Sequence, residues 1–144
     1  MIKIIVVGKI KEKYFVEAVN EYIKRLSKYI KVNVIEIKDS NKNDEGNKII
    51  SKISEKDFVV TLDIKGKGMD STKFSRFVND KLSDSRNLTF IIGGSDGISN
   101  DVTSRSDYSI SFSNLTFPHK LFRVMFLEQL YRAFKINNNE TYHK

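Results

Sequence analysis

The sequence predicts an α/β fold: a mostly parallel sheet with helices on both faces. Two observations point to it. Five short apolar runs recur along the 144 residues, and segments with apolar residues at helical spacing lie between them. Strands alternating with helices are joined by crossovers, which makes neighbouring strands parallel and puts helices over both faces of the sheet. A chain of this length buries roughly 70% of its unfolded surface and needs no covalent staple. With no internal repeat or linker, residues 1–144 read as a single domain.

Each element follows from its own residues. Ile2–Val7 is the first strand. Its apolar core is only six residues long, shorter than a signal peptide requires. Glu12–Tyr29 carries Phe15, Val19, Tyr22, Ile23 and Leu26 on one helical face. Val32–Ile37 is the second strand. The stretch DSNKNDEG reads as a polar loop, followed by a short helix through Ile49, Ile50 and Ile53. Phe58–Ile64 is a strand that Gly66 and Gly68 are expected to end. Ser71 is the expected cap of a helix through Phe74, Phe77, Val78 and Leu82. Leu88–Ile92 is a strand running into GGSDG, and residues 100–106 form a short helix or turn before the strand YSISF. Pro118, the chain's one proline, suits the first turn of a last helix reaching Ile136.

Composition removes several classes of function. There is no cysteine, so neither a disulfide framework nor a thiolate metal site exists. Two histidines 24 positions apart make a poor zinc site, so no metal is expected. No run of 18 apolar residues is present, so no membrane partner is expected, and a reducing, cytoplasmic location fits. The net charge of +7 is unevenly placed. Residues 1–56 carry 13 basic and 8 acidic side chains, residues 57–117 carry 7 and 8, and residues 118–144 carry 5 and 2. Basic ends on a small domain usually serve solubility, and an excess of this size also suits a polyanion such as nucleic acid.

Three strand ends are unusual: LDIKGKG, IIGGSDG and SFSNLTF. In an open parallel sheet ligands bind beyond the carboxyl ends of strands, so neighbouring strands would bring these loops to one pocket. The glycines do not match a phosphate cradle. GGSDG is not G-x-G-x-x-G, GKGMDS is not a Walker loop, and Asp96 would repel a phosphate. They make a plain turn or permit close backbone approach to a ligand without phosphates, such as an uncharged adenosine compound. On the last helix Glu128, Arg132 and Lys135 form one polar stripe in an otherwise apolar circumference, which suggests a partner chain. Arg123 lies off that stripe. It either snorkels to water or reaches a pocket beside the 112–117 loop to hold an anion or a base edge.

These same segments resemble the bacterial ribosomal RNA large subunit methyltransferase H family, of the SPOUT class. The resemblance spans nearly the whole chain: VVGKIKEKY, EYIKRLSKY, VTLDIKGK, FIIGGSDGIS, SFSNLTFPHKLFRVMFLEQLYRAFKI and the closing YHK, in that order. The loop near residues 38–48 looks shorter than is usual there, and Thr141 stands where a proline is common. The resemblance implies a homodimer, a C-terminal trefoil knot, and S-adenosylmethionine bound in it. It implies methylation of N3 of a pseudouridine in 23S ribosomal RNA, on the assembled ribosome. It also implies cofactor contacts from Leu62, Gly93, Phe112, Ser113, Asn114, Leu115, Thr116 and Phe117.

Such a reaction needs alignment and the removal of one proton. His119, His143 and solvent are the candidates for the base, against surface or capping roles for both histidines. Tyr142 is a candidate stacking platform, Lys144 a phosphate contact, and Arg123 completes the set of candidate catalytic residues. Two alternatives stay open at this point: an RNA-binding module of similar fold without catalysis, and a small-molecule enzyme with an adenosine cofactor.

Overall fold

Five parallel strands form one sheet: β1 (Ile2–Val7), β2 (Val32–Ile37), β3 (Phe58–Gly68), β4 (Leu88–Ile92) and β5 (Tyr108–Ser111). Their order is β2-β1-β4-β3-β5. The computed structural model describes residues 1–84 and 87–143. The crossovers carry α1 (Lys13–Leu26), α2 (Lys42–Ser51), α3 (Ser71–Ser83) and α4 (Asn100–Arg105), and α5 (His119–Asn137) follows β5.

Helices cover both faces, as the alternation of elements predicts. Ile2, Ile4 and Val6 of β1 face a core built with α1, α3 and α5, where Leu26, Phe74, Val78, Phe126 and Leu127 are buried. Ile5 and Val7 point the other way, toward Ile49 of α2 and Val102 of α4. The continuous apolar reading of β1 and β4 is the mark of strands buried on both faces. Phe90 and Phe126 are both fully buried, with ring centroids 4.8 Å apart, and burying each such side chain contributes about 1.5–3 kcal/mol.

Four sequence expectations are corrected here. Gly66 and Gly68 do not end β3. The strand bulges after Leu62 and re-pairs with β5, Leu62 and Lys67 both standing opposite Ile110. Glycine permits this, because a Cβ on Gly66 would stand 2.7 Å from the Ile110 carbonyl carbon. Most of DSNKNDEG is helix rather than loop: Asn41 caps α2 by accepting the Asp44 amide at 2.9 Å. Gly46 lies inside α2, where a Cβ would crowd the Ser99 side chain. Asp70, not Ser71, caps α3 through the Lys73 amide at 2.7 Å, and Ser71 donates instead to Gln129. Pro118 stands one position before the first turn of α5, and its carbonyl accepts the Phe122 amide at 2.9 Å.

Candidate functional site

The order β4-β3-β5 makes the three unusual strand ends neighbours. Beyond their carboxyl ends lies a cavity of about 300 Å³. Leu62, Asp63 and Ile64 line it from β3. Ile92, Gly93, Gly94, Ser95, Gly97 and Ile98 line it from β4 and its loop. From β5 and its loop come Ile110, Ser111, Phe112, Ser113, Leu115, Thr116 and Phe117, and from α5 His119 and Phe122. Seven of the eight expected cofactor contacts are in this wall. Asn114, the eighth, is exposed and not part of it.

Two loops give the cavity its shape. In the first, the Gly97 amide donates to the Gly94 carbonyl at 3.0 Å, closing a tight turn. Gly97 holds φ at +83°, a conformation side chains with a Cβ disfavour. A Cβ on Gly93 would stand 2.8 Å from Ile98 Cγ1 and 3.0 Å from the Gly97 carbonyl oxygen. The glycine is therefore needed for the loop to fold back on itself, and not only for a ligand to approach. In the second loop, Ser111 Oγ donates to the Ser113 carbonyl and Ser113 Oγ accepts the Leu115 amide, both at 3.0 Å. Phe112 anchors this loop between Phe74, Phe122 and Phe126, at centroid distances of 5.5 to 5.7 Å. Leu115 remains 70% exposed at its tip.

Among the described residues, Asp63 and His119 are the only titratable side chains in the wall, and no lysine or arginine is there. The cavity therefore suits a ligand without phosphates that carries positive charge of its own.

The four candidate catalytic residues do not converge within one chain. His119 is in the wall, its Nε2 3.6 Å from where a Gly8 Cβ would stand. Arg123 neither snorkels nor reaches the cavity. It is 2% exposed, and donates to Glu36 Oε2 at 2.7 Å and to the Gly8 carbonyl at 2.9 Å. Both hydrogen bonds tie α5 to the ends of β1 and β2, so Arg123 is not free to hold an anion. Tyr142 and His143 dock farther along α5. Tyr142 donates to Glu128 Oε2 at 3.0 Å, packs on Tyr131 and lies under the Arg132 guanidinium. Burial, and then the neighbouring Glu128 carboxylate, push its phenol up to about 12, so at neutral pH it is a donor. His143 Nδ1 lies 3.0 Å from Arg132 Nη1, and because arginine only donates, Nδ1 accepts and the proton resides on Nε2. At 1.5 Å per residue Arg132 stands ~20 Å along the helix from His119. Lys144 lies outside the described residues.

The polar stripe of α5 is partly as expected. Glu128 and Arg132 pair at 2.9 Å, whereas Lys135 turns to Glu140 at 2.9 Å. Tyr29 also donates to Glu140, at 2.7 Å. Sequence reasoning identified the three loops but not Asp63, Ile98 or Phe122 within or beside them. It also missed Gly8 and Glu36, whose only signal is their position at the ends of β1 and β2. Among the described residues no cluster of metal ligands occurs, and no helix is long and apolar enough to cross a membrane.

A parallel α/β sheet with its cavity in glycine and serine loops at the strand ends is shared by many nucleotide-cofactor enzymes. Here the class is specific: the chain belongs to the SPOUT methyltransferase family, whose model, described as a predicted SPOUT methyltransferase, matches residues 1–143. Its relatives include the ribosomal RNA large subunit methyltransferase H of Clostridium botulinum strain Alaska E43, 50% identical over 157 aligned positions. That of Clostridium acetobutylicum is 48% identical over the same length. Both alignments cover 99% of each chain. Among solved structures, a probable methylase family protein from Haemophilus influenzae superposes with a TM-score of 0.58 at 12% identity. It covers 99% of this chain and 70% of that one, and supports the fold.

Proposed function

We propose that this single domain, residues 1–144, transfers a methyl group from S-adenosylmethionine to N3 of a pseudouridine in 23S ribosomal RNA, acting on the assembled ribosome in the cytoplasm. The observation that carries the reading is the composition of the cavity. Three loops of small residues surround it, and among the described residues a carboxylate and an imidazole are its only titratable groups, with no lysine or arginine in its wall. S-adenosylmethionine is an adenosine compound without phosphates and with a sulfonium charge, so the donor set fits it. Leu62, Gly93, Phe112, Ser113, Leu115, Thr116 and Phe117 would hold it, with Asp63 near its positive charge. Bound there, it supplies an electrophilic methyl group.

The chain's own residues then do three things. The glycine turn and the Ser113 turn fix the loops, which is the alignment on which the rate depends. Phe112, Phe117 and Phe122 make one side of the cavity apolar. His119, alone among the candidate bases, stands in the wall and can take the N3 proton.

The same reading includes a homodimer and the C-terminal trefoil knot. A groove between α5 and the start of α3, lined by Met69, Phe74, Phe112, Phe117, Val124 and Met125 with Glu128 and Gln129 at its polar side, offers a surface for a second copy. Pairing there would bring a partner's tail toward the loop that both cavities share. Neither alternative needs this cavity composition in a basic protein: an RNA-binding module needs no cofactor pocket, and a small-molecule enzyme needs no net charge of +7.

The test is calorimetric titration of S-adenosylmethionine, followed by transfer of a labelled methyl group to unmodified ribosomes. Micromolar binding and ribosome-dependent transfer are expected. No binding, with or without ribosomes, would overturn the proposal. Sedimentation should give about twice the 16.7 kDa chain mass.

A further inference from the structure

We infer that the RNA backbone rides on two basic flanks straddling the cavity mouth, Lys9 and Lys11 on the β1–α1 loop and Lys65 and Lys67 on the β3 bulge, while the target base enters between them. This rests on the methyl-transfer reading and names the surface that serves it.

The first flank is built so that its cations stay free. Ile10 is buried between Lys9 and Lys11, and its amide donates to Glu36 at 3.3 Å, so both lysines stand exposed on either side of an anchor. Of the carboxylates nearby, Glu12 and Glu36 are already paired, while Asp39, also exposed, lies beside Gly8. Glu12 accepts Lys120 at 2.7 Å, and Glu36 accepts Arg123 at 2.7 Å. Two cations from α5 thus neutralise Glu12 of the loop and Glu36 of β2. The second flank is the bulge that returns β3 to β5. Lys65 and Lys67 are exposed there, and Asp63 Oδ1 accepts the Lys65 amide at 3.1 Å. Among the described residues, none of these four lysines stands within ion-pair distance of a carboxylate.

Between the flanks the sign changes. Asp63 is in the cavity wall and Asp96 is exposed on the glycine turn. A phosphate is repelled from the mouth itself and attracted to either side of it. β1 and β3 are separated by β4, so Val6 and Leu62, both level with Ile92 and each just ahead of its flank, are roughly 10 Å apart. That gap admits a base while its backbone continues along the lysines. A splayed single-stranded loop can adopt this arrangement, whereas the stacked bases of a duplex cannot.

The experiment replaces all four lysines with alanine and compares this variant with one lacking Lys31, Lys48, Lys52 and Lys56. Those four are exposed and remove the same charge, with Lys31 and Lys56 next to the amino ends of β2 and β3. Methyl transfer to unmodified 70S ribosomes is measured between about 50 and 200 mM salt, beside filter binding of the same ribosomes. Loss of four phosphate contacts should lower the slope of log affinity against log salt by about 3 and raise the ribosome KM at least tenfold. S-adenosylmethionine affinity and kcat at saturating ribosomes should stay within twofold, and the remote variant should follow the parent. Unchanged KM and slope in the rim variant would overturn the inference, as would equal losses in both variants. A parent that binds ribosomes but transfers nothing would strike the proposed reaction, while filter binding would still decide the surface.

Discussion

Arg123 and Glu36 should be strongly coupled, and the more exposed partner should be the more damaging one to remove. The guanidinium is 2% exposed, its Nε has no hydrogen-bond partner, and its other two nitrogens bond Glu36 and the Gly8 carbonyl. The Glu36 side chain is 39% exposed. Arg123→Met keeps much of the volume and lets Glu36 rehydrate, but leaves the buried Gly8 carbonyl unpaired, a loss of about 2 kcal/mol. Glu36→Ala leaves a buried charge with one hydrogen bond, which costs about 3 kcal/mol. In the double variant the charge is gone and only the long Ile10 amide bond to Glu36 is lost besides, so its loss should stay near that of Arg123→Met, about 3 kcal/mol less than additivity requires. Urea unfolding at one fixed protein concentration measures all four corners of the cycle. Additive losses, or a Glu36→Ala variant within about 0.5 kcal/mol of the parent, would refute the reasoning.

Gly93→Val should weaken S-adenosylmethionine binding at least tenfold and also lower stability by about 1–3 kcal/mol, because its Cβ meets the backbone of Gly97; calorimetry and urea unfolding read the two effects separately. Deleting residues 142–144 should leave cofactor affinity and the dimer nearly unchanged yet cut transfer to ribosomes at least tenfold, about 1.4 kcal/mol in transition-state stabilisation; full activity would make the tail a frayed terminus. The hydrogen bond from Lys135, followed by that from Tyr29, holds the Glu140 carboxyl below its usual 4.5. A depressed carboxyl contributes stability above its unfolded pKa and loses it as pH falls through the folded one. The tail should therefore undock on acidification below about 4.5, seen as NMR shifts of Tyr142 and His143 that Glu140→Gln shows already at neutral pH.

The fold was legible because its strands are buried on both faces. Ile2–Val7 and Leu88–Ile92 pack helices above and below, so burial demanded apolar residues at every position but Lys3 and Thr89, and the runs stood out. What escaped was local. Gly66 read as a breaker because glycine weakens a strand interior, but here the requirement came from Ile110, some forty positions away in sequence, against which the strand returns. Gly46 misled in the same way: it reads as loop, yet it is inside α2 because α4 packs there too closely for a Cβ.

The cavity was legible for a different reason, and the same reason shows why the catalytic residues were not. A parallel sheet puts the carboxyl ends of all its strands on one edge, so three loops distant in sequence could be placed together without knowing one side-chain contact. The positions of Arg123 and Tyr142 depend on side-chain partners instead. Helical spacing put Arg123 among apolar residues correctly, but only the ends of β1 and β2 supply the carbonyl and carboxylate that let a charge remain there. Tyr142 has no periodicity at all, and its place is set by Glu128 and Tyr131 on the preceding helix. A tail that looked free to close over a substrate is thus already docked. To reach a cofactor pocket in its own chain it would have to leave that dock and cross ~20 Å of helix. The own-chain route therefore breaks the contacts to Glu128, Tyr131 and Arg132 that hold the tail, whereas the proposed homodimer would supply a second tail.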